Sequence, residues 1–263
     1  MNSIREPAVA GLMYPGNAVD LRREIQRLLD NAPPTAPTGP IKAIIVPHAG
    51  YAYSGAAAAA AYSTLRSQAG TIRRVVLIGT AQRRILHELA IIGVRFFRTP
   101  LGDVAQEPKT LYRLLRLPQI SCLDSAHWKE HCLEVQLPFL QCLFNKFTVV
   151  PILAGDGHVD AIAEVLEQLW GDRETLIVVS DHHQQQWNYA TAPYRSTGPA
   201  GGAASLACPI GNSAVVQALR LVAGQHGIHA YPCPVVQKPA DRESLLYQSW
   251  ILHQDTTSAR SLA

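Results

Sequence analysis

Three short runs, at residues 41–46, 75–79 and 176–180, are apolar almost from end to end and rich in Val and Ile. A strand with one face in water alternates apolar and polar residues. Unbroken apolar runs of this length belong instead to strands covered on both faces, the pattern of a parallel sheet layered between helices. The longer segments at 18–29, 54–65, 130–144 and 159–170 have helical spacing. In the last of these Ile162, Val165, Leu166 and Leu169 form one apolar stripe opposite Glu164, Glu167 and Gln168. Parallel neighbours need long crossovers, which are usually helical. The sequence therefore predicts an α/β fold: a single domain over 1–263 with a mostly parallel central sheet and helices on both faces. Further strands are expected at 89–93 and 148–153. The stretch at 32–40, with its four prolines, reads as a connector, and 191–202 as either a lid over a pocket or a plain surface loop.

Charge and cysteine usage narrow the function classes. Twenty-three basic against 20 acidic residues give a net charge of +3, with the basic residues scattered apart from Arg73-Arg74 and Arg83-Arg84. That argues against nucleic acid as a partner. No apolar run approaches membrane-spanning length, and residues 1–10 lack the features of an export signal. The five cysteines, Cys122, Cys132, Cys142, Cys208 and Cys233, include no C-x-x-C pair. A reducing, cytoplasmic setting is the expectation. Cys132 and Cys142 read as small core residues.

In open α/β sheets ligands bind beyond the carboxyl ends of the strands, and here those ends are polar. The first run leads into Pro47-His48-Ala49-Gly50-Tyr51-Ala52-Tyr53-Ser54, the second into Thr80-Ala81-Gln82-Arg83-Arg84, and the third into Asp181-His182-His183. Together they place His48, Tyr51, Gln82, Asp181, His182 and His183 around one region. A fourth segment, Glu130-His131-Cys132-Leu133-Glu134, read as helix, sets Glu130 and Glu134 on one side. It offers His131 and Glu134 as acid, base or orienting groups.

The ordered set Arg5-Glu6-Pro7-Ala8-Val9-Ala10-Gly11-Leu12-Met13-Tyr14-Pro15, the 47–55 segment, Pro100-Leu101-Gly102, the 130–140 segment, Pro151-Ile152 and Ser180-Asp181 resembles the Memo family, also met as the B protein of the AmmeMemoRadiSam system. The resemblance runs almost end to end. It implies a class III extradiol dioxygenase-like fold, a metal site of two histidines and a cysteine with an aspartate nearby, and a radical SAM protein as a candidate partner. By that resemblance His48 is the first histidine, Asp181 the aspartate and Cys208 the cysteine. Gln82 stands where the second histidine is expected, Gln184 where a histidine follows the aspartate, and Pro209 where a glycine follows the cysteine.

A carboxamide is a poor ligand for iron or zinc, so three readings stand. In the first, His48, Cys208 and either His182 or His183 hold Fe(II), with Asp181 or His131 handling protons. Cu or Zn are the alternatives, since a thiolate also suits Cu(I). In the second, the pocket is catalytically degenerate, metal-free or not, and binds a ligand or a protein. In the third, Cys208 or Ser54 is a nucleophile with His48 or His131 as base. The sequence does not identify the small-molecule substrate.

Overall fold

The computed structural model describes residues 4–35, 37, 39–155, 158–181, 185–186, 213–234 and 245–254. The strands, in chain order, are β1 (Ile4–Arg5), β2 (Ile41–Val46), β3 (Arg74–Thr80), β4 (Leu89–Ile91), β5 (Phe96–Thr99), β6 (Gly102–Ala105), β7 (Ile120–Cys122), β8 (Thr148–Ala154), β9 (Thr175–Ser180), β10 (Gln185–Gln186), β11 (His229–Pro232), β12 (Leu245–Leu246) and β13 (Trp250–His253). The helices are α1 (Ala18–Asp30), α2 (Tyr51–Tyr62), α3 (Pro108–Leu114), α4 (Asp124–His127), α5 (Leu137–Leu143), α6 (Val159–Leu169) and α7 (Ala214–Gln225).

Eight strands form the central sheet in the order β11-β13-β2-β9-β3-β8-β4-β7. Its centre, β2-β9-β3-β8, is parallel throughout, while β11, β13 and the β8–β4 contact are antiparallel. The predicted mostly parallel α/β architecture is what the chain adopts. Its physical cause is visible in the side chains. Within β2, Ile44 and Val46 enter one apolar layer and Ala43 and Ile45 the other; in β9, Leu176 and Val178 alternate in the same way with Ile177 and Val179. The first layer is closed by α1, α2 and α5, the second by α3, α6 and α7. Buried apolar side chains of this size stabilise by about 1.5–3 kcal/mol each.

The alanine run of α2 lets that helix lie close to its neighbours. At Gly55 an added Cβ would meet Leu28 Cδ1 at 2.9 Å, so α1 crosses α2 where no side chain intervenes. Two registers matter for function: Ser180 at the end of β9 pairs with Val46 of β2 on one side and with Gly79 of β3 on the other. Three carboxyl strand ends are thus level, and the segments that follow them share one edge of the sheet.

The segment at 130–144 departs from expectation. It is not one helix: residues 130–133 form a turn, Glu134–Gln136 a single tight helical turn, and α5 begins only at Leu137. Pro138 explains the late start, because it has no N–H to donate to Glu134 O and is tolerated only in a helix's first turn. Expected strand 89–93 ends at Ile91, and expected helix 54–65 begins earlier, at Tyr51. Among the described residues no helix is long and apolar enough to cross a membrane.

Candidate ligand pocket at His48

His48 is two residues beyond β2, only 1% exposed, and sits over the end of β9. Its protonation can be worked out from the groups around it. Pro47 O and Cys132 O can only accept hydrogen bonds. Gln136 Nε2 donates to Pro47 O at 3.0 Å, which turns its amide oxygen towards the Tyr62 hydroxyl, 3.0 Å away. Burial pushes the Tyr62 phenol well above its ordinary range, so it stays a donor. Ser180 Oγ gives its one proton to Cys132 O at 2.6 Å. It meets its other two neighbours, Gln136 Nε2 at 2.9 Å and His48 Nδ1 at 3.3 Å, with lone pairs. In the neutral ring the network therefore assigns the His48 proton to Nδ1, which leaves the lone pair on Nε2.

Asp181 follows directly, 7% exposed, with its backbone N–H on Val46 O at 3.0 Å. The 130–133 turn closes over these strand ends. Gly79 makes the approach possible: a Cβ there would lie 3.0 Å from Ser180 O and 3.1 Å from Cys132 Sγ. Glu130, 3% exposed, holds the turn. Its Oε1 accepts the amides of His131 and Cys132 at 2.8 and 3.2 Å, and its Oε2 those of Gln82 and Arg83 at 2.8 and 3.3 Å. His131 is thereby brought edge-on to His48, with ring centroids 5.6 Å apart at 80°, and its Nδ1 lies 3.4 Å from Glu130 Oε1.

Glu134 is placed differently from the sequence-based expectation. It does not share a helix side with Glu130, because the two belong to different turns. It is fully buried, and its two oxygens take four donors: Arg5 Nη1 and Ala8 N–H on Oε2, both at 2.7 Å, and Val9 N–H at 3.0 Å and the Tyr14 hydroxyl at 2.7 Å on Oε1. Arg5, 1% exposed, also donates to His127 O and Glu130 O. This ion pair anchors the N-terminal segment under the 130–134 turn. Glu134 is thus a positioning group, and a carboxylate with every acceptor direction filled is poorly placed to exchange protons with a ligand.

Tyr51 is likewise engaged within the core. Its hydroxyl donates to Val135 O at 2.7 Å, its ring packs 5.0 Å from that of Phe139, and burial pushes its phenol well above its ordinary range. The Ser54 hydroxyl donates to Ala49 O at 2.9 Å. Gln82 has an exposed side chain, and its Nε2 donates to Thr80 O at 3.2 Å. Burial holds the Cys132 thiol protonated well beyond its usual range, as expected of a core cysteine; Cys142 is half-buried. Cys208, His182 and His183 lie outside the described residues, as does the 191–202 stretch. Among the described residues no three His, Cys, Asp or Glu side chains converge on one point that could hold a metal ion.

Ser180 and Gln136, which fix His48, and Arg5, which fixes Glu134, were not singled out from sequence as site residues. The available signal was a polar residue ending an otherwise apolar strand, together with Gln136 and Glu134 standing inside an apolar segment.

Residues 5–225 match the family model described as Memo-like protein. The chain belongs to the Memo family. It is 38% identical over 194 residues to a MEMO1 family protein of Sulfolobus acidocaldarius, a match covering 67% of this chain and 68% of that relative. A MEMO1 family protein of Thermotoga neapolitana is 35% identical over 202 residues, 70% of this chain and 72% of its own. The protein memo-1 homolog of Caenorhabditis elegans is 32% identical over 182 residues, which is 67% of this chain but only 51% of the nematode protein. The Memo match spans the segments that build the site, from Arg5 through His48, Gln82 and Glu130 to Asp181.

Proposed function

We propose that this Memo-family chain uses the His48 end of its sheet as a pocket for a redox-active metal ion or a small ligand, acting as a non-heme, dioxygenase-like oxidoreductase with a modified ligand set. The observation that carries the reading is the buried network of Tyr62, Gln136, Ser180 and Cys132 O. It orders His48 so that Nε2 is the nitrogen with a lone pair, the form a metal or a substrate proton requires.

The donor chemistry fits a metal in part. His48 Nε2 suits Fe(II), Cu or Zn, and Asp181 is a carboxylate at the neighbouring strand end. Gln82 does not fit: its side chain is exposed and turned to Thr80 O. The remaining ligands of such a site would be Cys208 with His182 or His183. Bound there, iron or copper supplies redox chemistry and zinc a Lewis acid. The chain's own groups have separable parts: His48 binds, Ser180 orients it, and His131, held edge-on to His48 by the Glu130 turn, or Asp181 handles protons.

The orientation of Gln82 also supports a second reading, a catalytically degenerate homologue that binds a ligand or protein through the same cleft. The two are separated by counting Fe, Cu and Zn per chain in untagged protein purified without oxygen, alongside His48→Ala and Cys208→Ser variants. Near-stoichiometric metal lost in both variants upholds the oxidoreductase reading. A parent chain that takes up none on reconstitution overturns it and leaves the binding-module reading.

A further inference from the structure

Beside the His48 site, on the same edge of the sheet, the turn after β3 borders an open cavity of about 400 Å³, with Gln82, Arg83, Arg84, Leu86, His87 and Gly155 on its walls. The turn is pinned in three places. At its start Ala81 N–H donates to Ala154 O at 2.9 Å. In the middle Glu130 Oε2 accepts the amides of residues 82 and 83. At its far end Leu86 O lies so close to Gly155 that a Cβ there would come within 1.9 Å of it, so the turn closes on β8 only because residue 155 is glycine.

The walls carry positive charge. Both arginine side chains are exposed, and among the described residues neither is in an ion pair; Arg84 Nη1 is steadied by Ser125 Oγ at 3.2 Å. Among the described residues the neighbouring acids form no ion pair with either arginine. The Glu130 carboxylate lies beneath the turn, 3% exposed and occupied by main-chain amides, and Glu88 Oε2 accepts from Ser121 Oγ. Guanidinium groups on a rigid backbone are the usual recognition element for carboxylate and phosphate groups. The limited volume and, among the described residues, the absence of a longer basic track suit a small molecule rather than a nucleic acid.

We propose that this cavity is an oxyanion-recognition site in which Arg83 and Arg84 bind the carboxylate or phosphate of a small organic ligand. Its link to His48 rests on the proposed function above. β3 is two strands from β2, about 10 Å at ordinary strand spacing, and the cavity extends beyond it to Gly155 after β8, so the two sites are about 10–15 Å apart. A ligand of that length, anionic at one end, would reach from one to the other.

The test is an NMR titration of the full chain, at constant ionic strength, with inorganic phosphate, with succinate, and with succinamide as the uncharged counterpart. Saturable shifts of the amides at 82–87 are expected with the two anions and none with succinamide. An Arg83→Gln/Arg84→Gln double variant is expected to weaken anion binding by about tenfold or more, Arg83→Lys/Arg84→Lys by less, and His48→Ala by under about twofold. Whichever anion binds more tightly names the headgroup. Unchanged affinity in the double glutamine variant, or shifts that never saturate, would overturn the proposal. So would loss of binding in His48→Ala, which would place the anion at His48. The metal content of the parent and of His48→Ala is read separately, so failure here and failure of the oxidoreductase reading are distinguishable.

Discussion

Replacing Ser180 with Ala removes one oxygen atom from a site with no solvent exposure and leaves no cavity larger than that atom. Three groups lose a partner: His48 Nδ1–H, Cys132 O and Gln136 Nε2–H. Gln136 keeps its bond to Pro47 O, so its loss is slight. The other two are buried groups left unmet, at about 1–3 kcal/mol each, which sums to about 2–6 kcal/mol. Against a typical total of about 5–15 kcal/mol this is a large fraction. Denaturant unfolding should show a lower midpoint at unchanged slope, since the surface exposed on unfolding is the same. If Ser180 and His48 act as one unit, the Ser180→Ala and His48→Ala costs should also fail to add, by about 0.5–3 kcal/mol. A Ser180→Ala protein within about 0.5 kcal/mol of the parent, or costs that simply sum, would refute the assignment of the His48 proton to the Ser180 contact.

Three further outcomes follow from the same contacts. Glu134→Gln turns an NH₂ group towards two of the four donors and leaves Arg5 buried without its counter-charge. A loss of about 3–5 kcal/mol is expected by denaturation, with faster proteolysis near residues 5–14; an unchanged midpoint would contradict the anchoring role. His127 is held at about 4 chiefly by burial, below its ordinary 6.5, so between those values the unfolded chain binds a proton that the folded chain refuses. Stability should therefore rise by about 3 kcal/mol from pH 4 to 6.5 on this account and level off above it. His127→Gln, which can keep the bond to Ala90 O, should flatten that slope, and an unaltered slope would assign it to other groups. Gly79→Ala places a Cβ against Ser180 O and Cys132 Sγ and should cost about 1–3 kcal/mol while displacing the 130–133 turn, read as shifted amide resonances of His131 and Cys132.

The middle of the fold was legible because β2, β3, β8 and β9 are covered on both faces, which forces near-continuous apolar runs that a sequence displays directly. The outer strands are short and mixed: β11 is His229–Pro232, with one residue exposed and none buried, and β5 and β6 hydrogen-bond in a small separate sheet with β1. Helix α7 carried a readable start, Ser213 accepting from Val216 N–H, but follows a long stretch without periodicity. The strand-end rule located His48 and Asp181 from order alone. It said nothing of how the two glutamates divide their parts. Glu134 and Arg5 are 129 positions apart in the chain, and local spacing carries no information about a partner at that distance. Glu130 looked like a helix-face residue and instead holds a turn, because Pro138 delays the helix.

The central claim is that the Ser180 network sets the His48 tautomer, with the proton on Nδ1 and the lone pair on Nε2, and nitrogen-15 NMR of the histidine rings tests it most directly. In the parent protein near neutral pH, the account predicts a protonated Nδ1 and an unprotonated Nε2 on His48, with the Nε2 resonance moving as diamagnetic Zn(II) is added and Nδ1 keeping its proton. A proton on Nε2 with Nδ1 bare, or a His48 ring that does not respond to Zn(II), would contradict it.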